Sequence, residues 1–323
     1  MRDALMINDF HVQVVSKLAQ RFIQACVTNS ESFCLPLENS LRSRPISHLE
    51  EERITRALYR FELFRRLFGW FQHLEDEDIP RLHDSLPYLA IFFSKFAPWE
   101  NAQLACMNDF LAGEILPVFN DFAEHDVVWG ELKANFNAEM DDDPIQFLLT
   151  LGLEKILEIS SSDSYADRER LLNHDGEPGP REIIPFLRQA LDSGLYSLSE
   201  IKGAGKTILE APAFCADGDG GAEQIWRLSL ESKVVVFGVY ERLTWSYRQW
   251  GYALWDSKRL QDLGILERPW KPDAEQMPST AVENWDKMHA SWAARADIYR
   301  RGGRGYWAEG DETRIVWTQE HQL

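Results

Sequence analysis

The chain has 323 residues, 45% of them hydrophobic and 12% aromatic, and a formal charge of −18 at pH 7. That length and apolar content rule out disorder and suffice for one large core or two modest ones. So acidic a surface excludes general nucleic-acid binding, which sets Lys and Arg against phosphates, and opposes anionic membranes for the same reason.

Asp3, Asn8 and Asp9 interrupt the stretch a signal peptide would need, and no window approaches the roughly 20 apolar residues of a membrane span. Cys26, Cys34, Cys106 and Cys215 are too sparse and irregular for a disulfide framework or a zinc site. The expectation is a set of reduced thiols in a soluble cytoplasmic or nuclear protein.

From His11 onward, apolar residues at 14, 15, 18, 22, 25 and 26 continue a helical stripe. Pro36 and Pro45 interrupt the next stretch of chain. Ser47-His48-Leu49-Glu50 is a capping box, in which hydroxyl and carboxylate each satisfy a free backbone N–H. It opens a helix over about 48–72, with Ile54, Ala57, Leu58, Phe61, Phe64, Phe68 and Phe71 on one face and Arg53, Arg56 and Arg60 on the other. Glu75 to Asp78 reads as a solvated loop or helix start. Leu86 to Phe96 reads as a buried helix, and Trp99 to Ile115 as a further one that Pro117 breaks or kinks. Asp141-Asp142-Asp143-Pro144 marks another helix start, with Ile145, Leu148, Leu149, Gly152, Ile156 and Ile159 at helical spacing after it.

Residues 160–180, rich in Ser, Asp, Gly and Pro, make the best internal boundary. They separate an N-terminal helical region, 1–160, from an aromatic-rich helical region, 181–323, packed together as one continuous domain. A helix is expected at about 181–192 and loop over most of 197–221; Val234 to Tyr240 reads as helix, with a buried strand as the alternative. Gly305 to Trp317 reads as a hairpin turning near Gly310-Asp311. The fold class is mostly α, an irregular multi-helix bundle with a small C-terminal β-hairpin.

Two short motifs imitate binding loops. Gly203-Ala-Gly205-Lys206-Thr207 resembles the end of a P-loop, but Glu200 stands where its first glycine belongs. Asp217-Gly218-Asp219-Gly220 lacks the remaining ligands of a calcium loop and reads as a solvated turn. The segment 120–126 carries more chemistry. As a helix it places Asp121, Glu124 and His125 on one face, beside Asp126, where carboxylates and imidazole have the chemistry to hold a divalent metal. The plainer alternative is a polar helix face. No other cofactor fingerprint appears.

Thr244 to Trp270 holds four tryptophans and two tyrosines. Read as a helix, it puts Trp245, Arg248, Tyr252 and Trp255 on one face and Leu243, Tyr247, Trp250 and Leu254 on another. A helix apolar on two faces is buried or sits between partners. Trp245, Tyr252 and Trp255 are the candidates for an exposed subset that binds a protein partner.

Five stretches, Arg56 to Phe64, Phe92 to Glu100, Phe122 to Asp126, Gln249 to Asp256, and Gly305-Tyr-Trp with Ile315-Val-Trp317, resemble uncharacterised proteins of filamentous fungi. Many of those are described as F-box-domain proteins. The resemblance implies recruitment of a target to a ubiquitin-ligase scaffold, and it supplies no catalytic residue. Leu35-Pro36-Leu37-Glu38 is similar to the opening of an F-box, but the module would run into the 48–72 helix and its Leu/Val spacing is absent. The leading functional expectation is an adaptor-like protein-interaction module. The alternative is a metal-assisted hydrolase or small-molecule biosynthetic enzyme centred on Asp121 and His125. Oligomeric state has no signature in the sequence.

Overall fold

A computed structural model describes residues 2–28, 44–68, 92, 93, 95–173, 179, 187–192, 218–231, 245–267 and 281–317. In chain order the elements are α1 (Arg2–Phe10), a π-helical turn (His11–Val15), α2 (Ser16–Thr28), α3 (His48–Phe68), α4 (Pro98–His125), α5 (Val127–Glu131) and α6 (Asp143–Thr150). After these come α7 (Leu153–Ser160), α8 (Tyr165–Leu172), α9 (Leu187–Asp192), α10 (Gly221–Glu231), α11 (Trp245–Gln249), a 3-10 turn (Tyr252–Leu254), α12 (Ser257–Asp262) and α13 (Ala281–Arg300). Strands β1 (Gly303–Gly305) and β2 (Ile315–Trp317) pair antiparallel in the register Gly303↔Trp317, Arg304↔Val316, Gly305↔Ile315. The protein is therefore mostly α with a C-terminal hairpin. The hairpin turns where the sequence places it, with Asp311 N–H donating to the Ala308 carbonyl at 2.9 Å and Gly310 at φ +77°. No described helix is long and apolar enough to cross a membrane.

Two compact units divide the chain, and each takes two segments: 1–110 with 186–275, and 111–185 with 276–323. The division thus falls inside α4, near residue 185 and near residue 275, not within 160–180. Long-range pairing sets it: the aromatic run packs on the N-terminal helices, and α13 packs on the segment after α4.

In the first unit the capping box forms as the sequence demands. Ser47 N–H donates to Glu50 Oε2 at 2.9 Å, and Glu50 N–H donates to Ser47 Oγ at 3.2 Å. Ile54, Ala57, Leu58, Phe61 and Phe64 are buried along α3, as expected. The polar face is not solvent-facing throughout, however: Arg53 and Arg60 are buried as well. Arg53 donates to the Trp255 carbonyl (2.9 Å), the Asp219 carbonyl (3.2 Å) and Asp219 Oδ1 (3.1 Å), while Arg60 pairs with Glu100 at 2.6 Å. Glu50 is also buried, and its carboxylate accepts from Arg259 at 2.7 and 2.8 Å and from Asp256 N–H at 3.1 Å. Burial pushes the Glu50 carboxyl up, but these bonds and the one from Ser47 outweigh it and leave the group below its ordinary range.

The aromatic run is not one helix. It breaks at Gly251, which adopts φ +70° and brings its α-carbon so close to Phe22 that a Cβ would sit 2.5 Å from that ring. The 3-10 turn comes next, then α12, capped by Asp256 Oδ1 on Arg259 N–H at 2.6 Å. The break turns Tyr252 and Trp255 inward to 5% and 2% exposure, with Trp255 stacked on Phe22 and its Nε1–H on the Trp250 carbonyl.

In the second unit α4 runs through Pro117 to His125 without ending. Gly152, at φ +94°, separates α6 from α7 within a stretch whose spacing reads as continuous helix. Arg295 of α13 is fully buried and its NH1 donates to the Ala123 and Asp126 carbonyls at 2.5 and 2.8 Å, a guanidinium at the C-terminus of α4. Only glycine fits at 130, since a Cβ there would lie 2.4 Å from Arg295 Cβ. Val127, Ile298 and Ile315 form a small core beneath the hairpin, which is tied down by Trp307 N–H on the His125 carbonyl at 2.8 Å.

Residues 75–78, 86–91, 203–207 and 234–240 lie outside the described residues, so the readings made there have no structural counterpart.

Candidate functional site

The second unit contains a cavity of about 210 Å3 lined by Asp121, Phe122, Asp163, Tyr165, Arg168, Tyr306 and Arg314. Three pieces of chain build it. The last turns of α4 supply Asp121 and Phe122. The first turn of α8 supplies Tyr165 and Arg168, fixed by Ser164, whose hydroxyl caps Asp167 N–H at 3.1 Å. The hairpin supplies Tyr306 and Arg314.

Aromatic rings form part of its wall, beside the charged side chains. Tyr165 stacks on Phe122 with centroids 5.4 Å apart and meets the edge or face of Tyr306 at 5.7 Å and 89°. Arg314 lies over the Tyr306 ring at 3.6 Å, a cation–π contact. His125 also packs on the hairpin tyrosine, at 4.7 Å.

Asp126 anchors this arrangement from below. It is buried, and it caps α5 by accepting from Trp129 N–H at 2.7 Å through Oδ1, while Oδ2 accepts from the Tyr165 hydroxyl. Burial raises the Asp126 carboxyl above its ordinary value, against the pull of the Tyr165 and Trp129 bonds and the Arg295 charge. Burial and then the Asp126 charge push the Tyr165 phenol far up, so it stays a hydrogen-bond donor. Partial burial and Asp126 also raise Glu169, one turn along α8.

The four residues expected to hold a metal do not converge on one point. Asp121, Glu124 and His125 share a face of α4, as helical spacing requires, but their functional atoms are directed elsewhere. The Asp121 carboxylate pairs with Arg168. Glu124 is exposed. The Asp126 oxygens are taken by Trp129 and Tyr165. His125 is half-buried, and its Nδ1 is enclosed without a hydrogen-bond partner among the described residues. Among the described residues no three His, Cys, Asp or Glu side chains converge to hold a metal ion. Asp219, from the calcium-like turn, is engaged by Arg53, by Ser257 Oγ–H at 2.6 Å and by Gly221 N–H at 2.9 Å.

The expected partner-binding residues need a correction. Tyr252 and Trp255 belong to the core of the first unit and offer no surface, because Gly251 turns them inward. Trp245 begins α11, and its side chain lies outside the described residues.

Tyr165, Arg168, Asp163, Tyr306 and Arg314 were not among the sequence candidates. Ser164-x-x-Asp167 did carry a signal, the serine-acid spacing of a helix start, inside a stretch read as a boundary. No family model, curated protein or solved structure matches this chain.

Proposed function

We propose that this chain is a binding protein, adaptor-like in its action, whose recognition site is the pocket of the second unit. The pocket takes one small polar group, free or borne on a protein partner. The carrying observation is the mixed lining: the charged side chains Asp121, Asp163, Arg168 and Arg314 converge with the rings of Phe122, Tyr165 and Tyr306 on a cavity of about 210 Å3. Convergent polar groups beside aromatic rings are what fix a ligand's orientation in a binding site. At about 210 Å3 the space is below the usual size of a site for a large cofactor.

Recognition fits this site better than catalysis. The perturbed carboxyl beside it, Asp126, is 2% exposed and has both oxygens engaged by the protein, so no reactant reaches it. The resemblance to fungal F-box-type proteins points the same way, toward recruitment of a partner.

Ligand-observed NMR with a library of small polar aromatic and aliphatic compounds tests the reading. Binders should appear with the wild type and vanish with Asp163→Trp, which fills the cavity from an exposed position. Binders indifferent to that substitution, or none at all, would refute it.

A further inference from the structure

We infer that the ligand of this pocket is a small zwitterion, one ammonium and one carboxylate on a compact frame, as in a free amino acid. The inference rests on the pocket being a binding site and goes on to name what it binds.

The argument is one of charge. Four charged side chains line the cavity: Asp121, Asp163, Arg168 and Arg314. Two of them neutralise each other, since Arg168 pairs with Asp121 and is further held by the Ser162 carbonyl at 3.2 Å. That leaves Asp163 and Arg314 on the lining, neither in direct salt-bridge contact among the described residues, although Arg314 lies over Tyr306 and within the field of Asp311 outside the cavity. One negative and one positive group therefore face the same small space.

Each simpler ligand class meets an obstacle there. A phosphate or a dicarboxylate finds a single free guanidinium and the repulsion of Asp163, whereas anion sites gather several donors. A simple cation, such as a methylated ammonium, finds Arg314 already lying over the Tyr306 ring at 3.6 Å, where its own cation–π contact would form. A neutral ligand gives neither charge a partner. A zwitterion satisfies both: its carboxylate accepts from the guanidinium N–H edge of Arg314, which stacking leaves free, and its ammonium donates to Asp163. Its apolar part lies against Phe122 and Tyr165, whose hydroxyl is kept out of the exchange by Asp126.

Titration calorimetry with individual free amino acids, their N-acetyl derivatives and their carboxamides tests this. The free amino acid should bind best, and loss of either charge should weaken it about tenfold, the effect of one charged hydrogen bond. Two variants assign the contacts. Arg314→Gln should erase the preference for carboxylate over carboxamide, and Asp163→Asn the preference for free amine over N-acetyl. Both positions are exposed, so an unchanged melting temperature checks the fold. If the derivatives bind as well as the parents, or both variants keep both preferences, the zwitterion is wrong while the pocket stands. If neither these compounds nor the broader library binds, the pocket fails with it.

Discussion

Asp126 is the side chain on which the geometry of the pocket depends, and replacing it gives the sharpest test of that reasoning. Its carboxylate does two jobs at once: it caps α5 through Trp129 N–H and accepts the Tyr165 hydroxyl that fixes one wall of the pocket. Asp126→Ala removes a helix cap, which costs about 1 kcal/mol. It also strands a half-buried phenol hydroxyl, at about 1–3 kcal/mol. Part of this is offset because burial already disfavours the charged carboxylate. The net expectation is a loss of about 2–3 kcal/mol. Asp126→Asn is the control: its amide oxygen keeps the cap on Trp129 N–H, and its NH2 donates to the Tyr165 oxygen once the phenol turns from donor to acceptor, so it should stay within about 1 kcal/mol of wild type. For a unit built from residues 111–185 and 276–323, the alanine loss corresponds to a fall of roughly 10 °C in melting temperature. Differential scanning calorimetry at neutral pH measures it. An alanine variant as stable as wild type, or an asparagine variant as damaged as the alanine one, would refute the account.

Acidification should act oppositely on Asp126 and on the Glu50–Asp219 network. Asp126 is raised, so its contribution is fully present below the unfolded value of about 3.9 and is lost as pH climbs through the folded value; Glu50 and Asp219 are lowered, so theirs is present at neutral pH and lost as pH falls through their folded values. Hydrogen exchange from pH 7 down to about 3, corrected for intrinsic rates, should show peptides around 126–129 gaining protection relative to those around 50–58 and 255–260; parallel changes would contradict this. Arg53→Met should cost the first unit about 3–5 kcal/mol in denaturant unfolding, because the carbonyl of Trp255 and the Asp219 carboxylate lose a buried donor, and a cost below about 1 kcal/mol would show that water replaces it. Cys26 and Cys106 are buried thiols, the first pushed well up and the second to about 12, chiefly by burial; native-state alkylation at pH 8 with site-resolved mass spectrometry should leave both unmodified until the chain unfolds.

How much of this was legible in the sequence depends on the range of the interactions involved. The capping box, the buried stripe of α3 and the C-terminal turn are local: donor, acceptor and spacing lie within a few residues, and the sequence reads them correctly. The buried arginines are not local. Arg53 sits on the polar side of its own helix and is enclosed only because residues 219 and 254–255, far along the chain, return to cover it. Periodicity reports how a helix divides its residues, not what the rest of the chain lays over the polar half. Gly251 misleads in a related way. The run from Trp245 to Trp255 keeps helical spacing across the glycine, but the close approach of Phe22, which only a residue without a side chain permits, lies in a different part of the sequence.

The same reasoning explains where the site was and was not found. Helical spacing correctly puts Asp121 and His125 on one face, yet a face is not a site until something else aims the side chains. Here the aiming comes from α8 and the hairpin: Arg168 takes Asp121, Tyr165 takes Asp126, and Tyr306 packs on His125. Arg168 and Tyr165 come from a stretch whose Ser, Asp and Gly content reads as a boundary, although that composition also serves to start a helix, as Ser164 does. The arginine that neutralises Asp121 is what turns an acidic helix end into a charge-balanced pocket. Cancelling Asp121 against Arg168 removes one of the two carboxylates that would together favour a cation. What remains on the lining is Asp163 and Arg314, and a cavity carrying one charge of each sign selects its ligand by requiring both at once.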